Sequence, residues 1–182
     1  MRKLAFLGLA LAASSDSAGP DTPVMTALVN GTPFVSTSIR PGHYVATFDT
    51  LHGTMIIIGG AISKTAVENI GLLLPRFRGA GPYTMCNSPD SASGTYWVAD
   101  AADTMLALVY DTQSRCGLGE VDVTSYDVTH GQIDGTFHFT APTALVADPV
   151  DSVNVTNGTF NGRVSILSPP GPGPYPPLAQ HK

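Results

Sequence analysis

Ile133-Asp134-Gly135-Thr136-Phe137-His138-Phe139-Thr140-Ala141 is the stretch that decides the fold. In an extended chain Ile133, Gly135, Phe137 and Phe139 fall on one side, and Asp134, Thr136, His138 and Thr140 on the other. Alternation of this kind predicts a β-strand with one face in a core and one in solvent. The pattern extends outward in both directions. Val121 and Val123 stand against Asp122 and Thr124, Val153 and Val155 lead to Asn157-Gly158, and Val164 and Ile166 close the run.

Further towards the N-terminus, Val24–Val29 runs into the turn pair Asn30-Gly31, and Tyr44, Ala46 and Phe48 alternate with Val45 and Thr47. Met55–Ile58 and Leu72–Leu74 are continuous apolar runs, expected where a strand is covered on both faces. Tyr83–Met85, Thr95–Val98 and Met105–Tyr110 complete the set, with Arg76–Pro82 as a connection. Gly59-Gly60 and Gly71 are expected at bulges or turns, and Ala99–Ala102 is the one place suited to a helical turn. Asn157-Gly158 admits two readings, a type I′ hairpin or a bulge in which Gly158 takes the positive φ. The bulge is preferred, because Phe160 otherwise has few residues left for a returning strand before Asn161-Gly162. The total is about nine to eleven short strands with no βαβ alternation. The predicted class is all-β, an antiparallel β-sandwich or partly open barrel.

Composition agrees with that class. Among 182 residues there are 19 Gly, 15 Pro and 19 Thr, but Lys occurs only at 3, 64 and 182 and Glu only at 68 and 120. Scarcity of Lys and Glu argues against exposed amphipathic helices and for strands and turns. At 43 % apolar the chain is too hydrophobic for disorder, and its net charge of −5 argues against a general nucleic-acid binder.

Arg2 and Lys3 precede ten residues without a polar side chain, Leu4–Ala13, followed by Ser14, Ser15, Asp16 and Ser17. A basic start, a short apolar run and small residues after it predict a secretory signal, too short for a transmembrane anchor. The alternative is a buried N-terminal helix, cut off by Gly19, Pro20 and Pro23. The expected division is a signal over 1–13, a flexible linker over 14–23, a β-sandwich domain over 24–167 and a Pro-rich tail over 168–182. Export places the protein in the periplasm, at the outer membrane or outside the cell. Cys86 and Cys116 are the only cysteines, and in an oxidising compartment one disulfide is their most economical use. Free thiols are the alternative. Closing a loop of about 30 residues would stabilise the fold by roughly 3–4 kcal/mol.

Four blocks carry a family resemblance. They are Ala27-Leu28-Val29-Asn30-Gly31-Thr32-Pro33-Phe34, then Gly81-Pro82-Tyr83-Thr84, then Ile133–Ala141, then Val153-Asn154-Val155-Thr156-Asn157-Gly158-Thr159-Phe160. Together with Gly119–Asp127 they make the chain resemble the uncharacterised small all-β lipoproteins of Gram-negative bacteria, over about residues 24–166. That resemblance implies an envelope-located β-sandwich and carries no catalytic residues to transfer. Leu11-Ala12-Ala13-Ser14 looks like a lipoprotein signal with Ser14 where the lipid-bearing Cys belongs. A hydroxyl is a far weaker nucleophile than a thiol, so this chain is not expected to be acylated there. Ala10-Leu11-Ala12 offers ordinary cleavage instead.

No nucleophile elbow, His-Glu-x-x-His or Gly-rich phosphate loop is present, so no catalytic residue, cofactor or metal ligand is assigned. His43, His52, His130, His138 and His181 show no paired spacing, and Asp122, Asp127 and Asp134 fit scattered surface acids better than a Ca²⁺ site. The tentative ligand surface consists of Tyr96 and Trp97, suited to stacking on a sugar, and Arg76 and Arg78 around Phe77, suited to a carboxylate or phosphate. The competing view puts Trp97 in the core with Tyr96 at an edge. The expected function is a non-catalytic binding or structural accessory of the cell envelope. Its partner would be an envelope polysaccharide or a protein, with membrane association only if lipidated. The alternative is a carbohydrate-processing or other hydrolytic enzyme with a loop-assembled site.

Overall fold

The computed structural model describes residues 25–36, 45–86, 88–103, 107–114, 118–143 and 151–167. The expected signal, linker and tail, Ser14, His43, Cys116 and His181 lie outside them. Eleven strands lie among these described residues: β1 Met25–Val29, β2 Thr32–Val35, β3 Ala46–Asp49, β4 Thr54–Ile62, β5 Ala66–Leu74, β6 Gly81–Thr84, β7 Ser93–Asp100, β8 Ala107–Asp111, β9 Gly119–Asp127, β10 Gln132–Pro142 and β11 Ser152–Leu167. The chain is all-β. The one helical turn among the described residues is a 3-10 turn at Thr112–Ser114, not the expected one at Ala99–Ala102, where β7 continues to Asp100.

The strands form one continuous sheet in the order β6-β9-β10-β11-β3-β4-β5-β7-β8, with β1 paired to β11 and β2 to β1, and it does not close into a barrel. It folds over on itself along β11. The first part of this strand lies between β1 and β10, and its last four residues run beside β3. The two layers meet through one core that includes Met25, Met55, Ile57, Ile70, Leu72, Val121, Ile133, Phe137, Phe139 and Phe160. Each large side chain so buried contributes roughly 1.5–3 kcal/mol relative to exposure. β11 and β3 run parallel, Val164 beside Ala46 through Leu167 beside Asp49, whereas the other strand pairs are antiparallel. The sheet is therefore mixed rather than purely antiparallel. β3 reaches β11 only after the whole of β4–β10, a long connection that leaves strand direction free of the hairpin constraint.

Local chemistry explains the joints. Asn30 (φ 48°) and Gly31 (φ 81°) form the two-residue turn between β1 and β2. Pro33 and Pro82 sit in β2 and β6, both edge strands, where a missing N–H costs no ladder bond. Asn157-Gly158 is the bulge, seen on both flanks: Phe137 and Phe139 face Gly158 and Val155, and Thr26 and Leu28 face Thr159 and Thr156. The positive φ, however, belongs to Asn157 (51°). Gly158 is glycine for a different reason, since a Cβ there would lie 2.6 Å from three carbons of the Phe137 ring. Gly59, Gly60 and Gly71 are not bulges either, but stay in register opposite Ile70, Asn69 and Ile58. At Gly59 the other layer comes close, and a Cβ would sit 2.6 Å from Met25 Sδ.

Candidate functional site

The four side chains of the predicted ligand surface do not come together. Tyr96 is buried, while Trp97 points to the opposite, outer face of the sheet and is only half-buried, beside Asn69 and Val109. Adjacent residues of a strand take opposite faces, and the core claimed the tyrosine, which inverts the expectation of a buried Trp97 and an edge Tyr96. Arg76 is ion-paired, Nε to Asp90 Oδ1 at 2.9 Å, and so is not a free anion grip. Arg78 is exposed, and its backbone N–H donates to Tyr83 Oη at 2.9 Å. Phe77 between them is packed inward, 5.7 Å from Tyr83, 5.0 Å from Tyr126 and 5.9 Å from Phe48, ring centre to ring centre. This aromatic cluster closes one end of the two layers.

The other end holds two tyrosine–carboxylate pairs. Tyr96 Oη donates to Glu68 Oε1 at 2.5 Å and Tyr110 Oη to Asp151 Oδ2 at 3.0 Å, with the two rings 6.0 Å apart. Desolvation first, and then the neighbouring carboxylate, pushes each phenol above its ordinary pKa, so both remain neutral donors. Glu68 was not singled out from sequence, although a signal exists. Leu74, Leu72, Ile70 and Glu68 share one parity in β5, and a carboxylate on a core-facing parity requires a donor.

A repeated five-residue pattern builds two hairpin turns. Asp49-Thr50-Leu51-His52-Gly53 joins β3 to β4, and Asp127-Val128-Thr129-His130-Gly131 joins β9 to β10. In each, one carboxylate oxygen accepts backbone N–H groups (Leu51 at 2.9 Å; Thr129 at 2.8 Å and His130 at 3.1 Å). The other oxygen lies 2.6 Å from the histidine Nδ1, and the closing glycine has positive φ, 63° and 61°. The histidine is the largest reason that Asp49 and Asp127 are held below the ordinary carboxylate pKa, with the turn amides adding to it. Nδ1–H on the carboxylate leaves Nε2 as the ring's acceptor. His138 faces solvent from β10. Asp134 takes hydrogen bonds from Ser125 and Asn161, Asp122 lies opposite Thr136 and Pro82, and among the described residues no three His, Cys, Asp or Glu form a metal-binding group.

A shallow cavity of about 230 Å³ lies beside Cys86, lined mainly by Leu73, Pro75, Ser88, Ser91 and Ser93. Its lining carries hydroxyls and no titratable acid, which suits a small polar contact rather than acid–base chemistry. Cys86 is not a free thiol.

No curated protein and no solved structure matches the chain. A family model does match, described as a domain of unknown function (DUF6252), over residues 21–162. That span takes in every strand up to the bulge of β11, so the chain belongs to the DUF6252 family.

Proposed function

We propose that this protein is an exported, non-catalytic β-sandwich of the cell envelope with a binding or structural accessory role. The observation that carries the reading is the use made of its carboxylates. Asp49, Asp100, Asp111 and Asp127 cap turn amides, Asp90 holds Arg76, Asp134 binds Ser125, and Glu68 and Asp151 accept tyrosine hydroxyls. Eight groups that could act on a substrate instead hold the scaffold in shape. The basic and apolar N-terminus supports export, the motif series supports placement among the small envelope lipoproteins, and Ser14 argues for release rather than acylation. An oxidising address suits one bridge between Cys86 and Cys116.

Fractionation of the native host with intact-mass measurement tests this. The expected species lies outside the cytoplasm, lacks the first 12 or 13 residues, carries no acyl increment and is two hydrogen masses lighter than the dithiol. A full-length, reduced protein in the cytoplasm would sink the proposal. The hydrolytic alternative has one specific footing, the carboxylates of Glu68 and Asp151 at one end of the fold. Turnover of an envelope glycan that Glu68→Gln abolishes without unfolding the chain would establish it instead.

A further inference from the structure

The two outer faces of the sandwich differ in chemistry. On the β10–β11 side the exposed positions carry Thr136, His138, Thr159 and Asn161, with no aromatic ring among the described residues of that face. On the β5–β7 side the core takes Ile70, Leu72 and Tyr96. Asn69, Gly71 and Leu73 therefore face outward, beside Trp97, Thr95 and Ser93 in that order. Trp97 is the only tryptophan of the chain. Its indole N–H, with no acceptor among the described residues, is open to solvent.

One end of this strip is the cavity of about 230 Å³ beside Cys86, to which Leu73 and Ser93 contribute from the sheet and Ser91 and Gln113 from the connections. Ser93 is only 5 % exposed, yet its hydroxyl has no partner among the described residues and is not sealed off, so it opens into the cavity. A buried hydroxyl left unpaired carries a free-energy cost that a bound polar group removes. The middle of the strip is open floor. No atom lies within 4 Å of where a Gly71 Cβ would stand, between Ile58 and Thr95. At the far end Trp97 has Asn69 beside it, and Asn69 Oδ1 would lie 2.8 Å from a Cβ at Gly60, so the amide leans over that glycine. Ser93 and Trp97 are four residues apart on one extended strand, roughly 13 Å, the span of a short oligosaccharide.

The strip is nearly without charge. Asp111, opposite Thr95, is its one ionisable side chain, and Oδ1 already accepts Gln113 N–H at 2.8 Å. Asp90, between Pro89 and Ser91 at the cavity, is held by Arg76. What remains is apolar surface from Trp97 and Leu73 alternating with the neutral hydroxyls and amides of Asn69, Thr95, Ser93 and Gln113. A purely apolar ligand would leave those polar groups unpaired, and an anion would find no free cation on the strip. A sugar has both properties the strip asks for: a C–H face that lies on an aromatic plane, and a rim of hydroxyls that donate and accept.

We propose that the outer face of β5 and β7, from the serine-lined cavity to Trp97, binds a neutral oligosaccharide. Trp97 stacks on the C–H face of one ring, Asn69 and Thr95 bond the hydroxyls along the strip, and Ser91, Ser93 and Gln113 receive the end of the chain. Gly71 has no side chain because the sugar lies over it. The inference rests on the binding reading above and gives it a ligand class.

The test is isothermal titration of the full chain with cellohexaose, xylohexaose, mannohexaose and chitohexaose, against hexagalacturonate as the anionic comparison. Trp97 emission gives a second reading from inside the site. At least one neutral hexasaccharide is expected to bind and to shift that emission, with hexagalacturonate at least about tenfold weaker. Trp97→Ala should weaken binding at least about tenfold. Because Trp97 is half-buried, Gly71→Leu supplies a variant whose fold is not at risk: it places a side chain in open space and blocks the floor. It should weaken binding as much, at an unchanged melting temperature. No binding of any neutral hexasaccharide, equal binding of hexagalacturonate, unchanged binding in either variant, or a dimer of the full chain that shields Trp97 would each overturn the proposal. Address is read by fractionation and turnover by the length of the recovered sugar, so failure here leaves the envelope reading standing.

Discussion

Gly158 lies so close to Phe137 across the β10–β11 pair that a Cβ on the glycine would stand 2.6 Å from the ring. The ring is buried against Phe139 and Phe160, at 6.3 and 6.4 Å, and has no free direction in which to yield. Gly158→Ala is expected to cost about 1–3 kcal/mol through overpacking. Gly71→Ala is the control: nothing lies within 4 Å of the added carbon and its φ is ordinary, so the expected change runs from neutral to a gain of about 1 kcal/mol. Urea midpoints at constant slope measure both.

Asn157 provides a separate test of the same bulge. Its φ of 51° is tolerated by Asn and Gly and disfavoured by residues with an ordinary side chain. Asn157→Gly should change stability by no more than a few tenths of a kcal/mol, and Asn157→Ala should lower it by about 1 kcal/mol. Equal midpoints for the two variants would show that the bulge does not depend on that dihedral.

Acid should loosen the two hairpin turns together. Asp49 and Asp127 have native pKa values below the unfolded value of 3.8, so their contribution is complete above that pH and disappears as pH falls through the native values. Denaturation midpoints measured from pH 6 down to pH 2 should fall most steeply below about pH 4. In Asp49→Asn/Asp127→Asn the fall should be shallower, and an identical slope would contradict the assignment.

At the alkaline limit the sign reverses. Tyr96 and Tyr110 are raised above 10.0, so the neutral phenol is the form the fold stabilises, and stability is lost as pH rises past that value. Ultraviolet titration should show two tyrosines ionising above the ordinary phenol range. Tyr96→Phe should remove roughly 1–2 kcal/mol, because Glu68 loses its donor.

What could be read from sequence divides by range. The strands were legible because a half-buried strand writes its two faces into alternate residues, and β9, β10 and β11 do so from Val121 to Val164. The roles of Gly59 and Gly158 were not, because the atoms that exclude a side chain belong to Met25 and Phe137, which sequence does not place beside them. The same holds for the parallel pairing of β3 with β11. Tyr96 and Trp97 show that alternation gives two faces without saying which is inside. The paired turns were legible in principle. Spacings between histidines hide them, whereas the spacing of each histidine from its aspartate shows Asp-x-x-His-Gly twice.

β11 has a consequence for how the molecule comes into being. β1, β3 and β10 all depend on it for a neighbour, and of the described strands it is the last to be synthesised. Until Ser152–Leu167 has emerged, β1 has only β2 beside it and the two halves of the sheet have no shared seam. The domain therefore completes late and all at once, with its pairings dominated by distant residues. A domain whose two halves share no seam until this strand is made stays open over the synthesis of all the strands before it.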